Sequence, residues 1–258
     1  MINSCVMDDK KMMNLDGLPA NALPVIREFA DDVIRIGGNE LESIVLAGSI
    51  LTQDYISGIS DINPVIVIKT LGQDFLDGLA GLGKKFGRKK VRAPLVITNE
   101  YLGRSVDVFP IEFLEIKLIH KTIYGTELFS GINIEKPMLR LQCERELKAK
   151  LVHLSRGYIS ASGDKDIIVK LILDASSGFY PLFRAILFMT GGIAPVERFT
   201  VLNAIESHLR VNLDCLKSVQ NLRSQKKPSL KNEELRELFK KLYDLTHKLS
   251  LIVDEIVL

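Results

Sequence analysis

The chain has 258 residues, 47% hydrophobic and 26% charged, with a formal net charge of +2. That length accommodates two domains of ordinary size, and the near balance of charge excludes a global attraction to nucleic acid or to an anionic membrane. Cys5, Cys143 and Cys215 are odd in number and far apart, and His120, His153, His208 and His247 form no HxxxH or HExxH pair, so neither a disulfide framework nor a zinc hydrolase has a starting point.

The first residues, MINSCVMDDKKMMNLDGL, contain no continuous apolar core of signal-peptide length, and residues 1–23 are read as a lead-in. PVIREFADDVIRI (24–36) puts Val25, Ile26, Phe29, Val33 and Ile34 on one helical face after a proline suited to the first turn. SIVLA (43–47) has strand length and runs into Gly48-Ser49, and INPVIVI (62–68) is a second, β-branched run whose Pro64 removes one ladder donor. A helix is expected over about 72–83, and APLVIT (93–98) and SVDVF (105–109) both read as strands. FPIEFLEI then alternates, with Glu112 facing solvent. Strands alternating with helices predict an α/β or α+β domain with a mixed sheet over 24–135.

From about residue 138 the pattern is purely helical, giving an all-α bundle domain over 136–258. Leu147, Leu151, Leu154 and Tyr158 form a stripe, and Glu144 with Lys148 and Glu146 with Lys150 stand four apart. Further helices are expected over 166–190, divided or kinked at Pro181, over 195–208 and over 211–224. VKLILDASSGFYPLFRAILFM is interrupted by Lys170, Asp174 and Arg184, short of the about 18 uninterrupted apolar residues of a membrane span, and a cytoplasmic protein is expected. The last helix, from about 233, carries Leu235, Leu238, Leu242, Leu245, Leu249, Ile252 and Ile256 in steps of three and four, a seam for an antiparallel bundle within the chain or for a homodimer.

One stretch carries chemistry. A strand ending at Gly48-Ser49 offers backbone N–H groups and a hydroxyl to a phosphate, with no Cβ at Gly48 to obstruct it. Asp61 opens the next strand, and Asn63 shares its face because strand side chains alternate. Asp107, flanked by valines in SVDVF, is a third oxygen donor, costly to bury without a cation. Three such side chains suit one or two Mg²⁺ or Mn²⁺ ions bridging a nucleoside triphosphate. The basic run KKFGRKKVR (84–92) has one interleaved ring, Phe86, and reads as a solvated loop, so nucleic acid is not an expected partner. Tyr124, Arg140, Tyr180 and Arg184 are weaker candidates for base or acceptor contacts.

This combination over about residues 40–110 resembles the nucleotidyltransferase superfamily of DNA polymerase beta, with its Gly-Ser turn, Asp-x-Asp strand and third Asp on a later strand. A helical bundle after such a sheet resembles small bacterial nucleotidyltransferases, the aminoglycoside-modifying ones among them. The tract DVFPIEFLEIKLIHKTIYGTELF is similar to a group of bacterial nucleotidyltransferase-domain proteins. The resemblance implies that Gly48 and Ser49 hold the triphosphate, that Asp61 bridges the metals, and that Asp107 is a metal ligand and activates the acceptor hydroxyl. It also implies transfer of a nucleoside monophosphate to a hydroxyl of a small molecule or protein. Asn63 departs from the pattern: an amide supplies a neutral oxygen where a carboxylate would hold the metal, so slow catalysis, or nucleotide binding without turnover, is the other outcome.

Overall fold

A computed structural model describes residues 13–223 and 230–257, which leaves Cys5 outside. Helix α1 (Leu23–Gly37) buries Ile26, Phe29, Ala30 and Val33 and starts with a proline in its first turn. Strand β1 (Leu41–Ala47) and strand β2 (Asn63–Ile68) follow, then α2 (Gln73–Gly87) and β3 (Leu95–Ile97). Helices α3 (Asn99–Ser105) and α4 (Pro110–Leu118) precede the last strand, β4 (His120–Gly125).

The sheet is mixed, in the order β3-β2-β1-β4. β1 is antiparallel to β2 and to β4, while β2 and β3 are parallel. β3 pairs only with Val65, Ile66 and Val67, so Pro64 lies just outside that ladder. One face of the sheet, through Ile44, Leu46, Ile66, Ile68 and Ile123, packs on Phe29 and Val33 of α1 and Phe75, Leu79 and Phe86 of α2. Leu15, Leu18 and Ala22 join the same core, and the Asn14 N–H donates to the Ile123 carbonyl at 2.8 Å, so the end of the expected lead-in is a packed part of this layer.

Three expectations fail between residues 84 and 125. The basic run is not a loop at its start: α2 continues to Gly87. Lys85 reaches Glu28 and Asp32 of α1 at 2.9 and 2.8 Å, Lys89 reaches Glu28, and the Phe86 ring is buried edge-on against Phe29. The strand expected at SVDVF is also absent. Residues 106–109 turn from α3 into α4, which opens at Pro110, and they pair with no strand of the sheet. FPIEFLEI is likewise the helix α4, on which Glu112 is exposed and accepts a bond from Gln142 Nε2 at 2.8 Å.

The remaining helices are α5 (Lys136–Ala161), α6 (Lys165–Ser177), α7 (Phe179–Met189), α8 (Arg198–Leu209), α9 (Asp214–Arg223) and α10 (Asn232–Asp254). α6 and α7 divide at Gly178, with Pro181 in the first turn of α7. Within Lys165–Met189 an 18-residue window has a mean hydropathy of 1.3, apolar enough by composition to cross a membrane, yet most of that window is buried in the folded chain. Asp164 caps α6, accepting from the N–H groups of Asp166 and Ile167. Of the two pairs expected on α5, Glu144 meets Lys148, whereas Lys150 donates instead to the Ala175 carbonyl at the end of α6, 3.0 Å away. The leucine seam of α10 is buried against α5, α6 and α9 and continues through Val253 rather than Ile252, so it packs as a bundle within the chain.

The chain forms two compact units, the first drawn from Met1–Ser105 and Ile116–Ile132, the second from Val106–Glu115 and Asn133–Leu258. Within the second unit Arg184 is buried. It pairs with Glu115 at 2.7 Å and donates to the Pro195 and Val196 carbonyls, so its task is to hold helices and a loop together. Burial pushes the Glu115 carboxyl up, against the pull of that guanidinium.

Candidate functional site

The last residue of β1, Ala47, stands opposite Asn63 of β2 on one side and His120 of β4 on the other. Directly opposed residues of antiparallel strands share a face, so side chains 47, 63 and 120 form a row across the sheet. Alternation turns this row away from the face on which Leu46 packs under α1 and α2. All three residues are half-buried.

Beyond Ala47 the chain turns at Gly48, whose φ of 78° is a conformation that residues with a side chain rarely adopt. Its N–H donates to the Ile119 carbonyl at 3.0 Å, its carbonyl accepts from Leu51, and Ser49–Leu51 form one tight helical turn. A Cβ on Gly48 would lie 3.4 Å from Asn63 Nδ2, so the amide lies over the turn. The Ser49 hydroxyl makes no hydrogen bond to a described residue, and Thr52 closes the loop by donating from Oγ1 to the Ser49 carbonyl at 3.2 Å. Gly48, Ser49 and Asn63 are thus neighbours.

Asp61 directly precedes Ile62, whose backbone is clamped by the segment after α2: its N–H donates to the Lys90 carbonyl at 2.8 Å and its carbonyl accepts from the Arg92 N–H at 2.9 Å. This clamp sets Arg92 beside Asp61, and Nε lies 3.0 Å from Oδ2. The basic run hid this group in the sequence, because the pairing of Ile62 with Val91 is a contact between distant residues. Asp107 is placed differently from expectation. It is exposed in the turn after α3 and belongs to the helical unit, so the cost of a buried acid, which had singled it out, does not arise.

A second cluster, on β4 and the turn after it, had no motif to announce it. His120 Nε2 lies 2.8 Å from Glu127 Oε1 and Nδ1 lies 3.3 Å from the Lys117 carbonyl. Glu127 also accepts from Thr122 Oγ1 and from the Phe129 and Ser130 N–H groups at 2.8 and 3.0 Å. Burial alone would raise the Glu127 carboxyl, but the bonds from Thr122, Ser130, His120 and Phe129 hold it down at about 2.

The donor set does not fit a pair of divalent ions. Asp61 is the carboxylate there and already has a guanidinium partner, Asn63 is neutral, and among the described residues no group of three or more His, Cys, Asp or Glu gathers to hold an ion.

No family model and no curated protein matches the sequence. Among solved structures, the spectinomycin adenyltransferase AAD(9) from Enterococcus faecialis, solved with ATP and spectinomycin, is similar to this chain over 87% of its residues and 99% of that protein's, at a TM-score of 0.52 and 15% identity. The fold is shared with a nucleotidyltransferase. A likeness at that identity carries architecture, an α/β sheet domain joined to helices, and no residue roles.

Proposed function

We propose that the Gly48-Ser49 turn holds the phosphates of a nucleoside triphosphate and that the chain transfers the nucleoside monophosphate to a hydroxyl of a small molecule or protein. The acceptor oxygen attacks the α-phosphorus, the bond from that phosphorus to the bridging oxygen breaks, pyrophosphate leaves, and the hydroxyl proton passes to a base or to water. The observation that carries the reading is the turn itself: a glycine at φ 78° ending the central strand, with Asn63 over it, in a fold shared with an ATP-bound adenyltransferase. If Mg²⁺ or Mn²⁺ accompanies the triphosphate, Asp61, two residues before Asn63, is the carboxylate that would meet it. The role that the resemblance gives Asp107, on the acceptor hydroxyl, rests on that resemblance alone.

The test is to offer ATP, GTP, CTP and UTP with Mg²⁺ and follow both binding and pyrophosphate. Gly48→Val is expected to remove binding by about a hundredfold or more, since it adds a branched side chain at a left-handed position in the cradle. Asp107→Asn is expected to lower pyrophosphate release without changing triphosphate affinity. Unchanged binding in Gly48→Val would refute the site. Tight binding with no pyrophosphate from any of the four, with a broad set of hydroxyl acceptors, would support a nucleotide-binding regulator, the reading favoured by Asn63 and by the partnered Asp61.

A further inference from the structure

The mismatch between this donor set and a metal pair has a counterpart in the segment after α2. We propose that Arg92 is the resident cation of the triphosphate site, taking the place of the second metal ion that an Asp-x-Asp pair would hold. The inference rests on the triphosphate reading above and concerns how that site is charged.

Three observations support it. The placement of Arg92 is built into the fold: Ile62 and Val91 are both buried, both backbone groups of Ile62 are bonded to the 90–92 segment, and Lys90 takes a left-handed φ of 65°, a strained conformation that the clamp must maintain. A chance surface pair would need none of this. The charges also cancel. Two carboxylates repel a triphosphate until metal ions neutralise them, whereas Asp61 with Arg92 beside it and a neutral amide at 63 presents no such barrier. The guanidinium, finally, has capacity to spare. It faces Asp61 through Nε, its remaining N–H donors make no hydrogen bond to a described residue, and the side chain is 68% exposed. A planar fork of donors reads phosphate oxygens in pairs, which a lysine cannot reproduce. Asn63 fits the same scheme, because the Nδ2 that lies over Gly48 is a donor and suits an anion better than a cation.

Arg92 gains partners on binding and keeps the one it has. The phosphates take the free edge of the guanidinium while Asp61 keeps Nε and holds the group in register, so Arg92 binds substrate and Asp61 positions it. An exposed ion pair of this kind contributes little to stability, and its replacement leaves the fold intact.

The experiment measures equilibrium binding of ATP, GTP, CTP and UTP to the full chain in excess EDTA and in Mg²⁺, for the unaltered protein, Arg92→Gln, Arg92→Lys and Gly48→Val, with a thermal melt of each. The unaltered protein is expected to bind its triphosphate in EDTA within about tenfold of its affinity in Mg²⁺, Arg92→Gln to lose at least about tenfold in EDTA, and Arg92→Lys to fall between them. A second readout uses Mn²⁺ alone, followed by its electron paramagnetic resonance: the combined variant Asn63→Asp with Arg92→Gln is expected to bind the ion at least about tenfold more tightly than the unaltered protein. If Arg92→Gln binds as well in EDTA as the unaltered protein while Gly48→Val does not, the triphosphate site stands and the role of Arg92 is overturned. The same follows if Arg92→Gln lowers the melting temperature alone, which would make the residue a loop anchor. If the unaltered protein binds no triphosphate in either buffer, or Gly48→Val changes nothing, the site is misplaced and the proposal falls with it.

Discussion

Glu127 collects a histidine, a threonine hydroxyl and two backbone N–H groups, and that set of donors keeps its carboxylate ionised down to about pH 2. A group with a depressed folded pKa stabilises the fold above its unfolded value near 4.5, and the contribution fades as pH falls towards 2. Glu127→Gln is therefore expected to lose on the order of 1 kcal/mol at neutral pH, a figure discounted for solvent screening because the side chain is 42% exposed. Urea unfolding of both proteins from pH 7 downward checks this: the gap between the midpoints should be widest above about pH 5 and close as pH approaches 2. A gap that stayed constant across the range would mean that the amide fails by shape and not by charge. The same cluster fixes His120, and with it one end of the row that runs through Ala47 to Asn63.

At the level of helices and strands, α5 and α6 approach closely where α5 carries Gly157. A Cβ there would come within 2.6 Å of Leu171 Cδ1 and 2.8 Å of Cδ2, and Leu171 is buried. Gly157→Val is expected to destabilise the protein by about 1–3 kcal/mol through overpacking, and Leu171→Ala in the same chain to recover part of the loss. A double-mutant cycle in chemical denaturation measures that coupling; strictly additive effects would show that the contact is not what separates the helices. Elements with one unambiguous period were legible from the sequence, namely α1, β1, β2 and the leucine stripe of α10. Residues 105–125 were not. SVDVF alternates like a strand but spans only a helix-to-helix turn, FPIEFLEI satisfies two periods at once, and β4 reads HKTIYG, where polar side chains disguise a strand. The Gly48-Ser49 turn was legible because a left-handed turn calls for glycine. Arg92 was not, because its place depends on a bridge between Ile62 and Val91, and no local spacing encodes that.

At the scale of the whole molecule, the chain leaves the sheet unit at residue 106, enters the helical unit through residue 115, and returns to supply 116–132 before it finishes the helices. The N–H of Ile111 is bonded to Gln142 and Glu115 to Arg184, so α4 depends on residues beyond 132. A fragment ending at residue 132 is accordingly expected to bind a hydrophobic dye and to melt without a sharp transition, whereas the full chain should unfold cooperatively; a soluble fragment with a sharp melt would contradict this dependence. The strand order has a further effect while the protein is being made. β1 is flanked by β2 and β4, and β4 is the last strand to leave the ribosome. Until residues 120–125 arrive, Leu41–Ala47 presents an open, apolar edge, so a chain stalled in translation before that point exposes the segment best suited to pair with another stalled copy.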